Sequence, residues 1–409
     1  MGDVSRSAHA APLWLQALGV TLAMQVTAAF LTQAMPVIGP SLTHAAGAAP
    51  EEIGLLSALE AMGTLWFLAS GYVLLRRWGA VRVLQIGNLV GALALLLPLS
   101  GTWSLMLLAG LLVGVGYGPA PPAGSEILIR HSPQAQRSLI FSIKQAGAPF
   151  GGAAAGLLLP PLVSGPGWRW ALAAGAVATA LAAFAVEPWR QTIDRTRERA
   201  EGNLIRELFS VRALLLPFRV LASGSALRSL AIASLPFSCV QGCVFSFFVT
   251  NLNTEAGLSL TAAGSAFAVL QVVGMLARIL MGFVADRLGS GIRTLVLLAI
   301  GSSLASLAAA ALSLDLPWGM VLVLSAVIGL IGVSWNGVYL AEVARLAPEG
   351  RVGEATAGST LLTFLGYVLA PAAFTVLIPL LGGYGRCFAA MALLPLISAW
   401  VLHRAQNRR

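Results

Sequence analysis

Three ionisable residues, Glu60, Lys144 and Arg278, stand well inside long apolar runs of the chain. A charge in hydrocarbon costs several kcal/mol, so such residues pair with an opposite charge, face a wet cavity, or work. A buried guanidinium can grip a carboxylate with two parallel hydrogen bonds, whereas an ammonium meets it as a point charge. A carboxyl in a poorly hydrated span can take up and release a proton. For each residue a structural reading stands beside the chemical one: an ion pair for Glu60 and Arg278, and a lysine snorkelling to the headgroups for Lys144.

Other chemistries lack their residues. Cys239 and Cys243 share a helix face with no histidine or third thiol beside them, which disfavours a metal site. His9, His44, His131 and His403 are scattered, leaving no cluster of nucleophile, base and acid, so the chain reads as no enzyme. The glycine runs Gly110, Gly114, Gly118 and Gly147, Gly151 lack the following Lys-Ser/Thr of a phosphate loop and read as packing faces. No cofactor is expected.

The elements that must position these residues are membrane helices. Of 409 residues, 57% are hydrophobic and 10% are charged, against about 25% charged in a soluble globule. Apolar runs long enough to cross roughly 30 Å of hydrocarbon occur twelve times, near 13–38, 53–75, 81–100, 102–128, 137–163, 167–186, 226–250, 261–285, 292–313, 317–343, 354–379 and 384–403. The first run is too long for a signal-peptide core, so it is expected to stay in the protein. All but Lys144, Arg169, Arg278 and Arg386 of the 25 basic residues fall in the terminal segments or in alternate loops of one side. The positive-inside rule makes that side cytoplasmic, with both termini there. The net charge of +9 then serves anionic lipid rather than nucleic acid.

The polar stretch from Glu187 to Arg212 separates six spans from six, predicting halves at 1–186 and 226–409 joined by a cytoplasmic linker at 187–225. The segment from Leu214 to Leu221 reads either as an interfacial helix or as an apolar approach to the seventh span. The halves repeat. At an offset of 211, Glu60, Gly63, Gly71 and Arg76 meet Gln271, Gly274, Gly282 and Arg287; with the offset drifting upward, as loop insertions produce, Glu126 and Arg137 resemble Glu342 and Arg351. Two parallel copies of a six-helix unit follow.

After the eighth span stands Gly282-Phe-Val-Ala-Asp286-Arg287-Leu-Gly289-Ser-Gly-Ile-Arg293. It resembles the loop signature of the major facilitator superfamily, and the chain resembles that family over essentially its whole length. The first-half copy, Gly71-Tyr-Val-Leu-Leu-Arg76-Arg77-Trp-Gly79-Ala-Val-Arg82, lacks the aspartate and carries one extra residue. The resemblance implies an all-α membrane protein of twelve transmembrane helices in two pseudo-symmetric halves, working as a secondary transporter in a bacterial-type inner membrane. It implies a cytoplasmic gate around Asp286, Arg287 and Arg76, with Glu126 and Glu342 as candidate partners. It also sets helices five and eight facing each other, so that Lys144 and Arg278, about 10 and 12 Å deep from one side, could converge on an anion. Arg278 is similar to the eighth-helix arginine of monocarboxylate and other organic-anion carriers of that family.

Further candidates for the wall of such a site are Gln25, Thr32, Gln33, Tyr117, Gln145, Gln241, Asn251, Gln271 and the tenth-span group Trp335, Asn336 and Tyr339. The expectation is a monomeric carrier of a small organic anion, with Glu60 as the proton-coupling carboxyl. Proton-antiport export of a drug-like compound is the alternative; the fifth span lacks the Gly-Pro step of the superfamily's antiporter signature. A receptor or membrane enzyme is a third reading, which the missing catalytic cluster and soluble sensor domain disfavour.

Overall fold

A computed structural model describes residues 12–196, 219, 221–222, 224–349 and 351–407. Arg6, Arg408, Arg409, most of the expected linker and nearly all of the segment 214–221 lie outside the described residues. Twelve apolar helices are present: α1 (Leu13–Val37), α2 (Pro50–Ser70), α3 (Ala80–Ser100), α4 (Trp103–His131), α5 (Leu139–Ser164), α6 (Trp168–Ala185), α7 (Ser225–Thr254), α8 (Leu260–Arg287), α9 (Gly291–Ala311), α10 (Trp318–Leu346), α11 (Val352–Leu381) and α12 (Tyr384–Gln406). Each matches an expected span to within a few residues. Helix is the form that satisfies every backbone polar group without water, which is why apolar runs of this length adopt it.

With an even number of spans, α1 starts and α12 finishes at one end of the bundle, here termed the terminal end. The repeat is visible in the packing: α5 lies on α8, and its counterpart α11 lies on α2. It is visible in the backbone too. Gly79 and Gly289, which close the two signature loops, both adopt a left-handed φ, +96° and +60°, where a Cβ would be strained.

Several helices depart from regularity: α3 ends in a 3-10 turn at Leu97–Ser100, α12 breaks between Met391 and Leu394, and two others are interrupted near their middle. α4 is interrupted at Gly118-Pro119, and α10 runs as α-helix over Trp318–Val327, as π-helix over Ile328–Gly332, and resumes at Asn336–Leu346. The break in α10 falls where Gly329 presses on the α8 backbone at Leu270. A wider turn there lets the second segment start afresh toward α7.

The apolar cores differ between the two ends. At the far end one cluster spans both halves, taking in Leu31 and Met35 of α1, Leu56 of α2, Phe247 and Phe248 of α7, Phe267 of α8 and Phe374 of α11. At the terminal end there are two clusters. One is confined to the first half around Met24, Phe67 and Ile127, the other to the second half around Phe237, Leu295 and Trp335. The bundle is therefore fused at one end and divided at the other.

Candidate functional site

Between the halves lies a cavity of about 270 Å³. α1 contributes Gln25, Thr32 and Gln33, α2 contributes Ser57 and Glu60, and α4 and α5 contribute Tyr117 and Gln145. The second half contributes Gln241 from α7, Gln271 and Arg278 from α8, Asn336 and Tyr339 from α10, and Thr360, Thr363, Phe364 and Tyr367 from α11. Among the described residues, Arg278 is the one cation and Glu60 the one carboxyl on this wall. They form no ion pair with each other or with any other described residue. Arg278 Nε is buried without a hydrogen-bond partner. Tyr117 stands within electrostatic reach of both charges and beside Gln25.

The cavity continues toward the terminal end. A vestibule of about 1110 Å³ shares Gln145, Arg278 and Asn336 with it and reaches Asp286, Glu342 and Arg345. The other end is shut. Thr375 donates to the Glu51 carbonyl at 3.0 Å, joining α11 to the start of α2. Gly156 of α5 and Gly264 of α8 lie backbone to backbone, so that a Cβ on either would strike the other's carbonyl oxygen. A polar cavity with one open path and one packed seal can admit a solute from a single side at a time.

Several expectations need correction. Lys144 does not converge with Arg278: it is 2% exposed, lies over Gly124 of α4, and donates to Gln145 Oε1 at 3.4 Å. One residue of helical rotation, about 100°, separates it from the cavity face that Gln145 occupies. Trp335 is fully buried, stacked on Phe237 at 5.0 Å, and it donates Nε1–H to Gln241 Oε1 at 2.9 Å. It supports a wall residue from behind. Asn251 packs away from the cavity, accepting from Ser313 at 2.8 Å.

The expected gate pairs are also local rather than across helices. Glu126 pairs with Arg130 at 2.8 Å and Glu342 with Arg345 at 2.5 Å, each on its own helix. Asp286 makes no side-chain hydrogen bond or ion pair among the described residues; it lines the vestibule. Arg287 stacks over Phe283 at 5.1 Å, and Arg76 is exposed.

The degenerate first loop has a substitute for its missing aspartate. Asp194, from just past α6, accepts from Val81 N at 3.0 Å and Arg82 N at 3.1 Å, capping α3. Glu187 accepts from Arg82, Gln85 and Arg190 at 2.8–3.2 Å. Those bonds, Arg190 foremost, hold its carboxyl below the ordinary carboxylate range. The spacing in sequence, over a hundred residues, hides both ties.

Sequence reasoning missed the α11 wall. Thr360, Thr363, Phe364 and Tyr367 follow the i, i+3, i+4, i+7 rhythm of one helix face, a polar and aromatic stripe in an otherwise aliphatic span that was legible in principle.

Twelve spans around a central polar cavity, sealed at one end and open at the other, define a multi-pass membrane carrier rather than an enzyme. The chain belongs to the Major Facilitator Superfamily, whose sequence profile matches residues 17–371 and again 230–408. An uncharacterized MFS-type transporter of Mycobacterium tuberculosis is 26% identical over 335 residues, 80% of this chain and 71% of its own length. A similar protein from another strain of that organism is 26% identical over 69% of this chain, which spans 61% of that relative's length. A probable chloroplastic anion transporter of Oryza sativa subsp. japonica is 31% identical over 91 residues, 22% of this chain and 19% of its own. Among solved structures, a mutant of the nucleoside transporter NupG superposes with a TM-score of 0.77 at 14% identity, covering 96% of this chain and 99% of that one. A bacterial homologue of the human lysosomal transporter Spinster, inward-facing and occupied, gives 0.69 at 15% identity over 98% of each chain. At these identities the structural likeness concerns the fold.

Proposed function

We propose that this transporter moves a small organic anion together with protons by alternating access, the halves 1–186 and 226–409 rocking about the central cavity in a bacterial-type inner membrane. The observation that carries the reading is Arg278: a cation on the wall between the halves, without a protein counter-ion and with its Nε unpartnered. An arginine in that position binds a planar carboxylate better than any neutral solute. The partial similarity to a probable anion transporter points the same way. Glu60, on the opposite wall and equally unpaired, is the group that takes up and releases the coupled proton. The sealed far end and divided terminal end, with the basic loops on the terminal side, support an inward-open state with the termini cytoplasmic.

The test is uptake of labelled mono- and dicarboxylates into proteoliposomes with and without a pH gradient. The reading requires saturable uptake that the gradient drives and that Arg278→Ala removes. Transport of neutral solutes alone, or carboxylate uptake indifferent to both Arg278 and the gradient, would overturn it.

A further inference from the structure

The two walls of the cavity offer opposite hydrogen-bonding groups. In the second half, Gln241 Oε1 accepts from both Trp335 Nε1 at 2.9 Å and Asn336 Nδ2 at 3.1 Å. An indole N–H can only donate, so the amide of Gln241 cannot be turned over; its oxygen faces Trp335 and its Nε2 hydrogens are left for the cavity. On the same wall stands Arg278, which also only donates. In the first half the buried atoms without a partner are two acceptors, Gln25 Oε1 and Gln33 Oε1, and the hydroxyl of Ser57; Gln25 also bonds Tyr117, and the Glu60 carboxyl lies on the same wall. A buried acceptor without a donor carries the full cost of its lost hydration until something supplies the hydrogen.

A ligand that satisfies this cavity has an acceptor end and a donor end. An aliphatic monocarboxylate meets Arg278 and Gln241 but leaves Gln25 and Gln33 orphaned. A dicarboxylate sets its second charge toward Glu60. We infer that the substrate is a hydroxylated carboxylate, seated with its carboxylate on Arg278 and Gln241 and its hydroxyl hydrogens on Gln25 and Gln33. Trp335 is a positioning residue, acting through the orientation it imposes on Gln241. The inference rests on the anion-carrier reading and narrows the substrate class at the same site.

The experiment measures binding to the purified full chain by ligand-induced thermal stabilisation. The probes are sets matched in carbon number from three to six: the polyhydroxy acid, its deoxy acid, and the polyol without a carboxylate, for example gluconate, hexanoate and sorbitol. The expected result is binding of the hydroxylated acid at least about tenfold tighter than its deoxy partner in one or more sets, because a site built around substrate hydroxyls rejects the analogue that lacks them. Gln25→Leu and Gln33→Leu should each bring that ratio toward one, chiefly by weakening the hydroxylated acid. Trp335→Phe, which removes only the indole donor, should weaken both acids by a similar factor of several and leave their ratio unchanged. Equal affinities for the two acids in every set overturn the hydroxyl assignment and leave the anion reading standing. A polyol binding as tightly as its acid overturns the anion reading itself. Should a leucine variant fail to fold, the wild-type ratio decides alone.

Discussion

Across the central cavity, α2 presents Glu60 where the repeat-related position of α8 presents Gln271, and α8 presents Arg278 where α2 presents Phe67. Each pair lies seven residues apart, two turns on one helix face. The duplicated helix thus holds two stations, and the halves charged different ones: the carboxyl sits at the station nearer the sealed end, the guanidinium at the station nearer the vestibule. The axial stagger is about 10 Å, which accounts for the missing ion pair between them. A duplicated scaffold gives each sign its own depth; on the proposed reading, that separation keeps the coupled proton's carboxyl from neutralising the anion's guanidinium.

The terminal-end loops differ in the same spirit. The first is pinned within its own half by Asp194 and Glu187, on Val81, Arg82, Gln85 and Arg190. The second keeps Asp286 uncommitted toward the vestibule. One loop is tied into its own half; the other leaves its aspartate on the vestibule wall, where we propose that it engages a partner in a closed state.

The largest effect should come from removing the deeper station's charge. Glu60→Gln is expected to abolish pH-driven accumulation in proteoliposomes while exchange of labelled for unlabelled substrate stays within about twofold. Accumulation that survives would return Glu60 to a structural role and dissolve the contrast between the stations. Arg278→Lys comes next: it keeps the charge but loses the forked geometry, and initial rates should fall at least about tenfold. Wild-type rates would show that no bidentate grip exists there.

Smaller effects distinguish the loops. Asp194→Ala removes a cap and should cost about 1 kcal/mol of stability, within roughly 0.5–2, read as a lowered unfolding midpoint, with no change in vestibule access. Asp286→Asn should do the reverse. A cysteine placed at Ser142 in the vestibule, with Cys239, Cys243 and Cys387 replaced, should change its labelling rate by a few-fold with the midpoint unmoved. Equal shifts in labelling from both variants would erase the distinction between a pinned and a reserve loop.

The smallest effect concerns Glu187. Its native carboxyl titrates below the unfolded value, near 4.3 for a model glutamate. Its tie therefore contributes fully above that value and is lost as pH falls through the lower native one. Because Glu187 is 42% exposed and the Arg82 contact 38% exposed, solvent screening leaves little to lose. Glu187→Gln should flatten a shallow loss of stability on the acid side and leave neutral-pH behaviour unchanged.

Hydropathy and helical rise alone were enough for the number of spans, their order and the position of each buried charge along its own span. Hydropathy is summed over twenty residues and the helical rise is fixed, and neither depends on neighbours. Arg278, Glu60, Gln25, Gln241, Gln271, Asn336 and Tyr339 were nameable for the same reason: polar groups in apolar spans are few. Which way a side chain faces was a different matter. Lys144 and Gln145 are adjacent in sequence, yet only the rotation of α5 against α4 sends the lysine onto Gly124 and the amide into the cavity. Trp335 moves behind the wall because a π-turn at Ile328–Gly332 resets the phase of α10, a change that no average periodicity records. Asp194 reaches α3 across more than a hundred residues, and Glu342 pairs with Arg345 on its own helix while lying against Gly291 at the start of α9. Rotation, register and the choice of which end is closed belong to packing between helices, and packing is a property of pairs of surfaces that a single span does not contain.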